Sequence, residues 1–548
     1  MVLQVAPPQD VGIILQFGGG LATVKSENEI KDRECSNGEN FVLELDNSHF
    51  RPRKPFKKLG TAPNGANIMG YAQLVTKADT ISNLVQAGDT VYEWDGGGTF
   101  TSRGTVSSGA KLRGTLDSNW TMGDKVIITD LTKTEAVKEW NGTALSDVSF
   151  SGVSGTVKAK YCFVENERAW FGNMTTTSDT PHVVCASEVS DYTTITTGNK
   201  PSSSLGEADP FYLVSPDLRP INAMVQAFGK VIFSTQRGSL FNFTGTTAKD
   251  YAVAAYYNGS AASGEESVVH VGNDVYFGRE GAIESLAGIT NIQEATVDDL
   301  SRFIADEAQA IEKWRLVYDR NMQRIYCFPD SFDKINVFQK ALYDDVAKHS
   351  AYPMTEFLSP WSIWKTNHSA GFQPTTVWNM LDPATKQMAV YFGDTSGNLY
   401  KFDSDTYNGD GATGPADTTG KEVWTTRVSK SFEAPPGRMF DVSGWITYRK
   451  PSEAFDLSLR FEHGGVSLFD QVIDVSIPAA TATPTTYGGT FYYAGTGTGA
   501  GYYGTSFEGR LTRQNYTAAG RSSQVQLRVT SNGKQNFSIA EIGLQFTA

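Results

Sequence analysis

Along most of the chain, apolar and polar residues alternate in short runs that break at turns containing Gly, Asn or Asp. Val91-Tyr92-Glu93-Trp94-Asp95-Gly96 is one such run, and Val137-Lys138-Glu139-Trp140-Asn141-Gly142 repeats its style. Lys230-Val231-Ile232-Phe233 leads through Gln236-Arg237-Gly238-Ser239 into Leu240-Phe241-Asn242-Phe243. Asn273-Asp274-Val275-Tyr276-Phe277-Gly278 turns at Arg279-Glu280-Gly281-Ala282, and Arg324-Ile325-Tyr326-Cys327-Phe328 matches Ile335-Asn336-Val337-Phe338. Val390-Tyr391-Phe392-Gly393 runs through Asp394-Thr395-Ser396-Gly397-Asn398 into Leu399-Tyr400-Lys401-Phe402-Asp403. Period-two alternation on both sides of such turns predicts β-hairpins.

These hairpins recur at about 43–65 residues, the period of one four-stranded propeller blade with variable loops. The segment 169–195, with Ala169-Trp170-Phe171-Gly172 and Val183-Val184-Cys185-Ala186-Ser187, fits as a further blade. About six to eight blades then cover 68–424. Repetition also answers the length. A chain of 548 residues exceeds the roughly 250–300 at which one core stops growing, whereas a blade packs only on its neighbours. The competing arrangement is a set of unrelated hairpins in two sandwiches.

Two segments depart from the alternation. Between Thr296 and Trp314, Leu300, Phe303, Ile304, Ala308, Ile311 and Trp314 follow steps of three and four. This predicts one amphipathic helix with Thr296 as N-cap, packed on the propeller edge or on a neighbouring subunit. Asp403–Gly414 reads as an exposed loop. Its acidic spacing suggests calcium, but Tyr407 and Gly414 occupy positions where a calcium loop needs ligands. After Trp424 longer alternating runs appear, such as Phe455–Phe461, Val525–Val529 and Phe537–Phe546, around the Thr-, Gly- and Tyr-rich stretch 481–504. The reading is all-β: an extended N-terminal arm (1–66), a β-propeller (67–424) and a C-terminal β-sandwich-like domain (425–548).

Composition sharpens this picture. The chain is 40% hydrophobic with 12% aromatics and 53 glycines, which excludes overall disorder and favours strands and turns. Its 60 acidic residues against 47 basic ones give a net charge of −13. That balance excludes a broad basic surface coating nucleic acid, but not a conduit through which nucleic acid slides. Cys35, Cys162, Cys185 and Cys327 lack CxxC spacing, so neither a zinc ribbon nor a disulfide framework is expected. They read as small buried apolar residues of a protein folded in a reducing compartment. The first 24 residues carry one charge, Asp10, and no basic n-region of a signal peptide. The uncharged stretch 11–24, interrupted by Gly18, Gly19 and Gly20, is too short to span a bilayer.

Catalytic patterns are absent from the sequence. The six histidines (His49, His182, His270, His349, His368, His463) show no metal-ligand spacing, and no P-loop, G-x-S-x-G elbow or dinucleotide fingerprint occurs. Asp95-Gly96-Gly97-Gly98 follows a strand but opens no helix, so it does not cradle phosphate. With 60 acids, carboxylate pairs arise by chance. No enzyme activity, cofactor or metal is expected. One cluster stands apart: Arg51-Pro52-Arg53-Lys54-Pro55-Phe56-Lys57-Lys58 holds five basic residues in eight. Its prolines keep it extended, as an arm. It reads as a solvated connector, as a docking element for an acidic neighbouring protein, or as a phosphate contact, with Arg51, Arg53, Lys54, Lys57 and Lys58 as candidate inter-ring contacts.

The N-terminal order is Phe17-Gly18-Gly19-Gly20-Leu21, then Ile30-Lys31-Asp32-Arg33-Glu34-Cys35-Ser36-Asn37-Gly38-Glu39-Asn40-Phe41, then Arg51-Pro52-Arg53-Lys54-Pro55-Phe56. This series resembles the opening of the tail hub or nozzle proteins of tailed bacteriophages, of the tail-tube, packaged-DNA-stabilisation type. Tyr92-Glu93-Trp94-Asp95-Gly96, Ser359-Pro360-Trp361-Ser362-Ile363-Trp364 and Tyr400-Lys401-Phe402-Asp403 share that style, over about 1–424. The resemblance implies a virion structural protein, assembled in the bacterial cytoplasm as a homo-oligomeric ring, usually a hexamer, below the portal and adaptor. Such rings continue the channel for genomic double-stranded DNA, retain the packaged genome, conduct it at ejection, and carry fibre or needle proteins. A rival reading is a propeller-type carbohydrate-binding adhesin, with Tyr502 and Tyr503 for sugar stacking. A propeller glycosidase is third.

Overall fold

The alternating runs pair with their sequence neighbours into antiparallel meanders. The computed structural model describes residues 12–16, 20–24, 29–31, 34–43, 51–114, 123–227, 230–236, 238–257, 262–272, 274–286, 298–331, 334–343, 359–365, 374–402, 425–433, 439–449, 455–463, 466–467, 473–477, 511–522, 524–531 and 538–547. Among the described residues six four-stranded units follow in chain order: sheet I (68–105), II (112–147), III (158–214), IV (221–257), V (268–299) and VI (314–364), the first strands of I and II being joined by one parallel pair, Tyr71 with Arg113. Sheet VII has three consecutive strands, Pro374–Leu381, Met388–Asp394 and Asn398–Lys401. Its fourth comes from near the N-terminus, Lys57–Thr61, paired antiparallel to Asn398–Lys401.

The hairpin tips explain why the chain turns where it does. Asp95 accepts from the Gly97 and Thr99 amides (2.7 and 3.0 Å), Asp319 from Asn321 and Met322, and Asp394 from Ser396 and Asn398. Each aspartate replaces main-chain bonds lost at the turn. Gly281 and Gly397, both at φ +76°, supply left-handed positions closed to most side chains.

First strands begin at Ile68, Leu112, Lys158, Ile221, Val268, Trp314 and Pro374. Each packs on its counterpart in the next sheet, and that of VII packs back on I; between II and III the contact is made by Val126–Asp130. The seven sheets therefore form a closed circuit, the arrangement of a β-propeller. Sheets III, V and VII share a pattern at their seams. In Trp170-Phe171-Gly172, Tyr276-Phe277-Gly278 and Tyr391-Phe392-Gly393 the aromatics are buried and the glycine faces the next sheet. A Cβ on Gly278 would lie 2.5 Å from Trp314 Cβ, and one on Gly393 2.2 Å from Ile68 Cβ. Side-chain amides also reach across from one unit to the next: Asn173 donates to Ile221 O (2.7 Å) and Asn222 to Ala262 O (2.6 Å).

The sheet of unit VI does not end at Trp361–Trp364. Asn37–Glu39 pairs parallel with it and antiparallel with Thr425–Glu433, so the sheet runs on through Gln524–Ser531 and Phe455–His463. A second sheet holds Gly12–Gln16, Ser538–Thr547, Met439–Arg449 and Leu511–Ser522 in that spatial order. Ile446, Ile539 and Ile542 from this sheet share one core with Leu457, Leu459, Leu527 and Val529 from the first.

The helix expected over 296–314 is much shorter. Asp298–Asp299 closes sheet V, a 3₁₀ turn (Leu300–Ile304) and a five-residue α-helix (Ala305–Gln309) follow, and Trp314 opens sheet VI. Asp299 caps the turn, accepting from the Ser301 amide at 2.9 Å. Leu300, Ile304, Ala308 and Ile311 still reach the core. Strand pairing at both ends of the segment outweighs helical periodicity in its middle. Thr296, the loop 403–414 and the stretch 481–504 lie outside the described residues. No helix among the described residues is long and apolar enough to cross a membrane.

Candidate functional site

The basic N-terminal segment is extended, as its prolines require, but it is built into the fold. Arg51 and Pro52 pair with Phe41 and Val42, and Lys57 and Lys58 stand opposite Lys401 and Tyr400 in sheet VII. Arg53 is fully buried. Its Nε donates to Asn40 Oδ1 (2.9 Å), Nη1 to Lys54 O (3.1 Å) and Nη2 to Lys365 O (3.0 Å), while its guanidinium lies 4.2 Å from the centre of the Phe56 ring. Arg53 therefore has no surface to offer a neighbour, which corrects its place among the docking residues. Lys54, Lys57 and Lys58 are half-buried and border solvent.

The family-like N-terminal residues converge on the same place. Leu21, Ile30, Glu34, Cys35, Asn40, Phe41, Arg53 and Phe56 are all buried. Gly20 and Leu21 amides donate to Ser359 O and Trp361 O (2.7 and 2.8 Å), and the Ser359 amide donates to Glu34 Oε1 (2.8 Å). Asn40, held at φ +58°, receives the Lys365 amide on its side chain (2.8 Å) and donates its own amide to Ile363 O (2.7 Å). Trp364 Nε1 donates to Phe41 O at 3.0 Å. The segment thus clamps the last strand of sheet VI. Phe17, Gly18, Gly19, Asp32 and Arg33 lie outside the described residues.

A cavity of about 560 Å³ lies on the axis of the circuit, and every one of the seven sheets contributes to its wall. Two of its charged residues, Arg113 and Lys160, sit where first strands begin, with Glu265 and Glu266 just ahead of Val268–Val271. Arg113 Nε pairs with Glu266 Oε1 at 2.7 Å, and Arg315 Nη1 reaches Glu266 Oε2 at 3.4 Å. The remaining Arg113 bonds go to Met69 O, Leu112 O and Thr376 Oγ1. Lys160 Nζ pairs with Glu265 at 2.5 Å. Burial alone would raise the Glu266 carboxyl, but Arg113 and Arg315 more than reverse this and hold it below the usual carboxylate range. Burial pushes the Tyr71 and Tyr161 phenols up. The Tyr71 ring lies under Arg113 (5.0 Å) and stacks on Trp378 (4.8 Å).

Sequence reasoning missed this cluster, because its members lie far apart in the chain and each looks like an ordinary strand-end charge. The aromatic-Phe-Gly signal of the seams was visible in the sequence. All four cysteines are free and buried, as expected. Among the described residues no group of His, Cys, Asp and Glu is placed to hold a metal. Tyr502 and Tyr503, and with them the sugar-stacking site, lie outside the described residues, as do His49, His349 and His368.

No family model matches the chain, and no curated protein matches it. Among solved structures it is similar to YCF48 from Cyanidioschyzon merolae, at 10% identity over 64% of this chain and 98% of that one, with a TM-score of 0.39. It is also similar to a catalytically inactive virginiamycin B lyase from Staphylococcus aureus with quinupristin, at 9% identity over 63% and 98%, with a TM-score of 0.37. Likenesses this distant identify no activity for the chain.

Proposed function

We propose that this chain is a non-catalytic, ring-forming structural protein of a phage tail, of hub or nozzle type. In this reading the seven sheets are seven propeller blades bound to a C-terminal β-sandwich. The supporting observation is the position of the family-like N-terminal motif. Its residues form a strap that contributes Asn37–Glu39 between sheet VI and the C-terminal strands and leads into Lys57–Thr61, the fourth strand of sheet VII. Main-chain ladders thus tie the start of the chain to both parts of the molecule. A subunit that retains a pressurised genome needs this kind of connection, because separating its parts means breaking whole ladders at once.

The axis of the propeller is not the DNA path in this proposal. Its cavity of about 560 Å³ ends in a bonded charge network, whereas the major groove of a duplex is itself about 12 Å wide. Genomic DNA would pass through a lumen between copies. At −13 per copy, such a lumen repels phosphates and lets the duplex slide. Portal–adaptor proteins above and fibre or needle proteins below are the partners this role requires. Mass photometry and negative-stain electron microscopy of the purified protein, alone and with portal–adaptor complexes, test the reading. A closed ring with a duplex-wide lumen is expected. A uniform monomer that ignores those complexes would refute it.

A further inference from the structure

We infer that the axial cavity binds a neutral aromatic molecule of two or three rings, held by its apolar walls and not by a charge. This goes beyond the hub reading and does not depend on it. The cavity, about 560 Å³, falls within the roughly 300–1,000 Å³ of small-molecule sites, which are lined mainly by hydrophobic and aromatic side chains. Benzene needs only about 150 Å³, so a larger body fits. Phe163, Val225, Val268 and Val269 belong to the wall and are only partly buried, so apolar surface remains open there.

The polar groups of the wall are already in use. Arg113 pairs with Glu266 (2.7 Å) and Lys160 with Glu265 (2.5 Å), two cations for two carboxylates. A charged ligand would give up its water without gaining an opposite charge, whereas a neutral one leaves both pairs intact. Gln226 donates to Glu165, and Asn379 to Tyr318 O at 2.5 Å. The Tyr161 hydroxyl and Asn379 Oδ1 have no partner, but both are shielded from solvent and out of an incoming molecule's reach. Recognition is left to the apolar surface. Phe163 is the reason for an aromatic ligand. Its ring is half-buried and stacks on no other ring among the described residues, whereas Tyr71 and Trp378 in the same wall already stack on each other (4.8 Å). An aromatic guest completes an offset or edge-to-face pair with Phe163.

The test uses the full-length protein and the neutral fluorophore N-phenyl-1-naphthylamine, displaced by indole-3-acetamide, indole-3-acetate and tryptamine, which share one ring system and differ in charge. The fluorophore should bind saturably. The amide should displace it at least about tenfold better than the anion or the cation. Phe163→Leu, which keeps an apolar side chain in the wall, should weaken the amide about threefold or more. A neutral aryl diazirine, photolysed on the wild type and mapped by mass spectrometry, checks the place without any variant. Its label should fall on 160–164, 224–227, 268–270 or 316–318 and be suppressed by the amide. The inference is overturned if the fluorophore does not saturate, if either charged analogue competes as well as the amide, if folded Phe163→Leu binds the amide like the wild type, or if the suppressible label lies elsewhere.

Discussion

Replacing Arg53 by Met separates an internal weld from an external docking arm. The substitution keeps most of the aliphatic stem and removes the guanidinium. At least three hydrogen bonds are lost, and the one to Asn40 Oδ1 is buried. Bonds from a charged donor are worth about 1.5–3 kcal/mol each, and the cation–π contact with Phe56 about 0.5–2 kcal/mol. Allowing for partial compensation, Arg53→Met should cost on the order of 4–6 kcal/mol locally, with Arg53→Lys near half of that because the ammonium lacks the fork. A chain this long does not unfold in two states, so the readout must be local. Amide hydrogen exchange across Asn37–Glu39 and Trp361–Trp364 should accelerate by about three to four powers of ten. Lys57→Glu with Lys58→Glu should change it by less than about 0.5 kcal/mol, as expected for residues bordering solvent. If Arg53→Met stays folded and exchanges within tenfold of the wild type, the weld is wrong and Arg53 behaves as a surface residue.

Three further outcomes are expected. Gly278→Ala places a Cβ 2.5 Å from Trp314 Cβ and should destabilise the seam between sheets V and VI by about 1–3 kcal/mol. Gly97→Ala, whose Cβ would meet nothing closer than 3.6 Å, is the control, and equal melting temperatures for the two variants would count against the seam argument. Burial by itself would raise the Asp382 carboxyl, but Lys401 Nζ (2.7 Å), the Thr385 amide and the Tyr391 hydroxyl hold it down to about 2. A depressed carboxyl stabilises the fold above its unfolded pKa near 4 and loses that contribution as pH falls toward about 2. The melting-temperature gap between wild type and Asp382→Asn should therefore shrink on acidification, and a gap constant with pH would contradict the pairing. Burial raises all four thiols, Cys35 to about 11 and Cys185 to about 12. None should react with Ellman's reagent at neutral pH until the protein is unfolded, when all four should.

What the sequence determined by itself is local. Alternation of period two, aspartates at hairpin tips and the aromatic-Phe-Gly runs act within a few residues, so they specify the strands, their turns and the recurring unit wherever the chain lies. The all-β character and the hairpins at Lys230–Phe243, Asp274–Ser285 and Met388–Lys401 were legible for that reason. Tertiary structure decided what depends on distant partners. The pattern over 296–314 gave way to strands at both of its ends. The basic segment looked like a free arm because nothing near it in sequence reveals Asn40, Lys365 and Trp364 closing around Arg53. The axial network joins Arg113, Glu266 and Arg315, which no periodicity connects. A side chain's neighbours along the chain set its conformation, but its burial and charge state are set by whichever strands the closed circuit brings against it.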